Sequence, residues 1–149
     1  MEPDHAYFMR LAVEEAGKAQ GRTDPNPIVG ALIVEGGVVV AKAHHAKAGE
    51  AHAEINAIRS LGRAPREDAV LYVTLEPCST HGKTGACTEA IIRAGFQHVV
   101  FGATDPNPVH NGRAVKILRE AGIKVESGIM AGECEGLNPA FNARMKERQ

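Results

Sequence analysis

The chain has 149 residues, a length suited to one domain. Its 44% apolar and 23% charged residues lie near globular averages, which excludes a disordered chain, a collagen-like repeat and a coiled coil. With 17 basic against 18 acidic side chains the formal net charge is −1, so composition offers no electrostatic case for binding nucleic acid or a membrane surface. The longest apolar stretches, Ile28–Val34 and Val38–Ala41, fall well short of the ~20 residues that span a bilayer. The first residues include the acids Glu2 and Asp4, unlike a secretion signal, and a cytoplasmic protein is expected. Three cysteines are too few, and odd in number, for a disulfide framework; they are read as candidate metal ligands.

Asp4 is a good N-cap, and Phe8, Leu11, Ala12 and Ala16 follow at helical spacing, predicting a helix over His5–Ala19. Gly21–Pro27 is turn chemistry, with two prolines flanking Asn26. The β-type runs Ile28–Val34 and Val38–Ala43 flank Glu35-Gly36-Gly37 and predict a hairpin. Neither run alternates apolar with polar, so both faces of this sheet are expected to be covered. A polar loop, His44–Glu50, leads into a helix over Ala51–Leu61 whose apolar members are Ile55, Ala57, Ile58 and Leu61. Val70–Leu75 reads as a strand stopped by Pro77, and the loop Cys78–Ala86 precedes a helix over Cys87–Ala94 that ends at Gly95. Val99–Gly102 is a strand, Asp105–Pro108 a Pro-rich loop, and Arg113–Ala121 a helix closed by Gly122. Ile123–Ser127 is the last strand and Glu133–Arg148 the last helix, with Pro139 as an interruption.

With no internal repeat, low-complexity segment or long linker, residues 1–149 are read as a single domain. Strands separated by helices imply right-handed crossovers and a largely parallel sheet, and the opening hairpin makes the sheet mixed. The expected fold class is α/β, a three-layer α/β/α sandwich around five strands.

Three segments carry the chemistry: His52-Ala53-Glu54, Pro77-Cys78, and Cys87. Each lies at or just before the start of a predicted helix. Helix N-termini offer unpaired N–H groups and a positive dipole end, which favour thiolate over thiol. Two thiolates and an imidazole are a Zn²⁺ donor set, and three protein ligands leave a fourth position for water, as in catalytic sites. Glu54 lies two residues after His52. On a helix body such positions diverge, but in the first turn both can reach a metal beyond the helix end. Zinc makes its bound water acidic near neutral pH, and an unliganded carboxylate beside that water can pass its proton to a leaving group. The parts suit hydrolytic removal of ammonia from an amino-substituted ring.

His-x-Glu followed by Pro-Cys and a second Cys is the pattern of zinc-dependent nucleobase deaminases, in which two residues separate the cysteines. Here eight residues separate Cys78 from Cys87. That insert, within LEPCSTHGKTGACTEAII, resembles the deaminase domain of the bacterial riboflavin biosynthesis family RibD, of the cytidine/deoxycytidylate deaminase superfamily. So do Asn26-Pro27-Ile28-Val29-Gly30, the loop HHAKAGEAHAEINAIR and Thr104-Asp105-Pro106-Asn107-Pro108, and the likeness runs from about Tyr7 to Phe141.

The resemblance implies a cytidine-deaminase-like fold, one Zn²⁺ per chain on His52, Cys78 and Cys87, and Glu54 as proton shuttle. It places Asn26, His45, Lys83, Asp105 and Asn107 around the substrate. The substrate it implies is 2,5-diamino-6-ribosylamino-4(3H)-pyrimidinone 5′-phosphate, whose ring amino group at C2 is replaced by oxygen. The Lys83 ammonium suits a phosphate, and Asn26 and Asn107 can both donate to and accept from a pyrimidine edge. The chain departs from the family at Gly85-Ala86, where the family has Pro-Pro, and at Ala114, where Gly-Arg-Gly is usual. In many bacteria an NADPH-dependent reductase domain follows, and this chain stops where it would begin. The resemblance further implies a homodimer or higher oligomer, and it fits both a stand-alone deaminase served by a separate reductase and a part of a longer, bifunctional protein.

Other readings stand beside these. Cys134 is read as a packed core residue and His44, His81 and His110 as loop histidines without an assigned role, while rigid turns are the alternative to a pocket role for the two Pro-Asn-Pro segments. A deaminase of another base, a nucleoside or tRNA adenosine shares the chemistry, but RNA binding calls for a basic surface that composition does not supply. A zinc-stabilised module without catalysis has no use for Glu54 beside all three ligands.

Overall fold

The computed structural model describes residues 4–18, 28–44, 52–76, 87–103 and 113–137. Helix α1, His5–Gly17, starts where Asp4 accepts a hydrogen bond from the Tyr7 amide at 3.1 Å, and Lys18 is its C-cap. Strands β1 (Gly30–Glu35) and β2 (Val38–His44) form the hairpin. Both turn residues have positive φ, 58° at Gly36 and 80° at Gly37, a pairing of dihedrals that glycine adopts without steric cost and that matches the twist of the strands. The chain continues through α2 (Ala53–Leu61), β3 (Val70–Leu75), α3 (Cys87–Ala94) and β4 (His98–Ala103). It goes on through α4 (Arg113–Glu120), β5 (Lys124–Glu126) and α5 (Ala131–Glu135).

The five strands are ordered β2-β1-β3-β4-β5. β1 is antiparallel to both β2 and β3, whereas β3, β4 and β5 run parallel, so the expected mixed α/β sheet is present. Alternate residues of the strands feed two cores. Ala31, Ile33, Leu71, Val73, Val99 and Phe101 meet Ala53 and Ala57 of α2, Ile91 of α3 and Leu118 of α4. Leu32, Val34, Tyr72 and Val100 meet Phe8, Met9 and Ala12 of α1 and Cys134 of α5. Helices therefore cover both faces, which explains the unbroken apolar run of β1, buried at every residue.

That coverage is less complete at β2, where Ala41 is buried but the start of the strand is open to solvent. β2 is an edge strand, with Val38 61% exposed, although its composition reads like that of a core strand. His44 belongs to this strand and not to a loop, because the β1–β2 ladder continues to the Gly30–His44 pair. The last helix also differs from expectation. α5 starts at Ala131, after Met130 in the left-handed region (φ 56°), and ends at Glu135, so no continuous helix runs from Glu133 to Arg148. Pro139 and the remainder of that stretch lie outside the described residues.

Below the hairpin, buried Glu35 accepts two hydrogen bonds from Arg63, at 3.0 and 2.6 Å, and one from the Arg66 amide at 2.8 Å. The Arg63 guanidinium, followed by the Arg66 amide, draws its carboxyl down from 4.5 to about 2. A carboxyl with a depressed folded-state pKa contributes stability above its unfolded pKa and loses it as pH falls through the folded value. Urea unfolding between pH 5 and about pH 2 is expected to show stability falling with acid, and Glu35→Gln to flatten that slope while lowering stability near neutrality. An unchanged slope in the variant would remove Glu35 from the account.

Candidate active site

The strand pairing brings several chain ends to one edge of the sheet. Gly30 pairs with His44, Ala31 with Val73, and Leu75 with Ala103, so the start of β1 and the ends of β2, β3 and β4 lie side by side. α3 finishes at Ala94, just before β4 begins at the far edge, and α4 finishes at Glu120, just before β5. Their N-termini therefore return to the edge where β3 and β4 end. Ligands of open α/β sheets bind outside the carboxyl ends of strands, and this edge has that character.

His52 is the N-cap of α2, with extended backbone (φ −69°, ψ 164°); its side chain makes no capping hydrogen bond, and the helix starts on its carbonyl through the Asn56 amide at 3.0 Å. The ring is thus not spent on the helix end. Glu54, in the first turn of α2, is buried at 3% exposure. The positive end of a helix dipole favours a negative charge there, offsetting part of the cost of burying a carboxylate. Cys87 is the first residue of α3, which packs against α2. Cys78 follows β3 by three positions and lies outside the described residues, as do the Cys87 side chain, Asn26, His45, Lys83, Asp105, Asn107, His81 and His110. Of the expected donors the structure thus places His52, at the start of α2, and the backbone of Cys87, at the start of α3; by their chemistry one imidazole and two thiols suit zinc with an open position. Harder cations prefer oxygen donors.

Several residues to which the sequence assigns no role brace this edge. Buried Glu76 donates its amide to the Ala103 carbonyl at 2.8 Å and accepts the Ala114 amide on its carboxylate at 3.0 Å. It thereby ties the ends of β3 and β4 to the first turn of α4. Thr74 accepts the Gly30 amide at 3.1 Å, and Asn56 donates to the His44 carbonyl at 3.0 Å. Glu15 pairs with Lys18 at 2.8 Å and His44 at 3.1 Å; burial pushes its carboxyl up, but those two partners outweigh it and hold it below its ordinary value. The sequence signal for these residues is faint: polar side chains at the end of an apolar strand, and an acid on the buried stripe of a helix.

Residues 2–103 match the family model for the cytidine and deoxycytidylate deaminase zinc-binding region. The chain is 47% identical over 142 residues to the chloroplastic riboflavin biosynthesis protein PYRD of Zea mays, covering 95% of this chain and 36% of that protein. It is 39% identical over 140 residues to the diaminohydroxyphosphoribosylamino-pyrimidine deaminase of Buchnera aphidicola, covering 94% of this chain and 95% of that protein. Among solved structures, a Thermotoga maritima diaminohydroxyphosphoribosylaminopyrimidine deaminase/5-amino-6-(5-phosphoribosylamino)uracil reductase superposes with a TM-score of 0.91 at 42% identity, over 97% of this chain and 42% of that one. The chain spans little more than a third of the maize relative, 36%, and nearly the whole of the Buchnera one, 95%.

Proposed function

This chain belongs to the cytidine and deoxycytidylate deaminase zinc-binding family, and we propose that it hydrolytically deaminates 2,5-diamino-6-ribosylamino-4(3H)-pyrimidinone 5′-phosphate. The products are 5-amino-6-ribosylaminouracil 5′-phosphate and ammonia, and the step belongs to riboflavin biosynthesis. The observation that carries this reading is Glu54, a buried carboxylate two residues beyond His52 in the first turn of α2, at the strand-end edge of the sheet. The substrate class follows from the Buchnera deaminase, whose length this chain matches over 95%.

His52, Cys78 and Cys87 would hold the zinc. Bound there, zinc supplies a Lewis acid that makes water acidic near neutral pH. Glu54 accepts a proton on a carboxylate oxygen and returns it to the departing amino group. Its burial keeps that proton out of exchange with bulk solvent. Asn26 and Asn107 read the pyrimidine edge, Lys83 meets the phosphate, and His45 and Asp105 complete the pocket. Glu76, Thr74 and Asn56 brace the strand and helix ends that flank those residues in sequence.

Among the described residues no helix is long and apolar enough to cross a membrane, and the proposed setting is the cytoplasm. The remaining parts of the reading are one deaminase domain over 1–149, a homo-oligomer, no nucleic-acid partner, and a separate reductase acting on the product. The test is ammonia release from the ribosylaminopyrimidinone phosphate at neutral pH. Turnover is expected with zinc-replete protein, to vanish with a chelator and to return with added zinc. Zinc-containing protein that releases no ammonia from this compound would overturn the substrate assignment.

A further inference from the structure

On the face of the sheet opposite α2 and α3, three ligand-type side chains converge under the start of α1. His5 is the first residue of α1, His98 the first of β4 and Glu126 the last of β5. Parallel pairing sets His98 against Lys124 and Val100 against Glu126, so His98 and Glu126 rise on one face, two positions apart. His5 Nε2 lies 2.9 Å from Glu126 Oε2, and His98 Nε2 lies 2.7 Å from the same oxygen. One ligand atom from each of the three residues falls within 4.8 Å of the others. The imidazoles meet edge to face, 83° apart with centroids at 5.3 Å, so the rings do not stack, and both Nε2 atoms lie against the same Glu126 oxygen. The side chains are 16%, 18% and 36% exposed for His5, His98 and Glu126, which shelters the cluster without sealing it.

We infer that His5, His98 and Glu126 form a second divalent-metal site, suited to Zn²⁺ and separate from the His52/Cys78/Cys87 set. Two imidazole nitrogens and a carboxylate oxygen with room for water are an open zinc donor set, whereas calcium and magnesium prefer all-oxygen sites. Zinc–ligand bonds of about 2.0–2.1 Å in a tetrahedron place ligand atoms about 3.3–3.4 Å apart. The present separations of 2.7 and 2.9 Å therefore need to open by about half an ångström, a small side-chain adjustment.

An outer partner is already in place, since His5 Nδ1 lies 2.7 Å from the hydroxyl of buried Tyr72. With Nε2 on the metal, Nδ1 carries the proton and donates it to the Tyr72 oxygen, which fixes the tautomer and the ring.

Such a site ties the start of α1 to β4 and β5. From there α1 runs roughly 15 Å, at 1.5 Å per residue, to Glu15, which pairs with His44 at the opposite edge. Occupancy stiffens a strut of the fold and adds no group to the candidate active site.

The test compares zinc content after equilibration of the zinc-replete protein with micromolar free Zn²⁺. Wild type is expected to hold one equivalent more than either His98→Ala or Glu126→Gln, with ammonia release unchanged in both variants. Cobalt added to zinc-replete wild type is expected to give d–d absorption without a thiolate charge-transfer band, since the cluster contains no sulfur. Neither the difference in zinc content nor the cobalt spectrum depends on the proposed deamination, so a failure of one reading is distinguishable from a failure of the other. Equal zinc content in wild type and the folded Glu126→Gln variant, which keeps the side-chain volume, would overturn the inference. So would cobalt absorption carrying a thiolate band.

Discussion

Glu54→Gln is expected to lower kcat for ammonia release by roughly 10²–10⁴-fold, the range for loss of a positioned general acid–base group, while zinc content and fold stay as in the wild type. Glutamine keeps the volume of the side chain in a site only 3% exposed, so packing around α2 changes little. What it loses is an oxygen able to take a proton from water and deliver it to nitrogen. Because that transfer occurs in the transition state, kcat and kcat/KM should fall together and KM should stay near its wild-type value. A glutamine variant retaining a tenth of wild-type kcat would remove Glu54 from the proton path. Loss of zinc along with activity would instead make the side chain part of the metal's support.

The second large effect is structural. A methyl group at Gly30 would lie 2.7 Å from the Ala16 amide nitrogen and closer still to the Ala12 carbonyl oxygen. Both are backbone atoms of α1, so no side-chain rotation relieves the clash and the helix must lift from the sheet. Lifting it opens the layer of Phe8, Met9 and Ala12 against Leu32 and Tyr72 and strains the Gly30–Thr74 hydrogen bond. Overpacking a core costs about 1–3 kcal/mol where side chains can yield, so with rigid backbone on both sides Gly30→Ala is expected to cost about 3 kcal/mol or more. For a total stability of about 5–15 kcal/mol that is a large fraction. Urea unfolding measures it directly, with Gly17→Ala as control. Nothing lies within 4 Å of a methyl group at Gly17, so that change should be neutral or stabilising by up to about 1 kcal/mol. Equal stabilities for the two variants would mean that α1 does not sit on β1 as closely as the structure has it.

The sequence by itself determined whatever depends on neighbours along the chain. β3 over Val70–Leu75 and α3 over Cys87–Ala94 are present with the bounds read from sequence, because Pro77 and Gly95 punctuate them locally. The α/β class follows from the alternation of helical and β-type runs, and His52 and Glu54 stand out because a short motif carries their chemistry. Only the tertiary structure decided the rest. Val38 and Val40 have the composition of core residues, and their exposure follows from β2 lying at the edge of the sheet, which no local pattern encodes. His44 joins β2 because Gly30 is available as its partner across the ladder. Glu76, Thr74 and Asn56 are single polar residues whose partners lie on other elements. His5, His98 and Glu126 come from three elements far apart along the chain and meet through strand register and the docking of α1. Local propensity and motif spacing act over a few residues, whereas edge position, buried pairing and ligand convergence are set by contacts between distant segments, which exist only once the sheet is assembled.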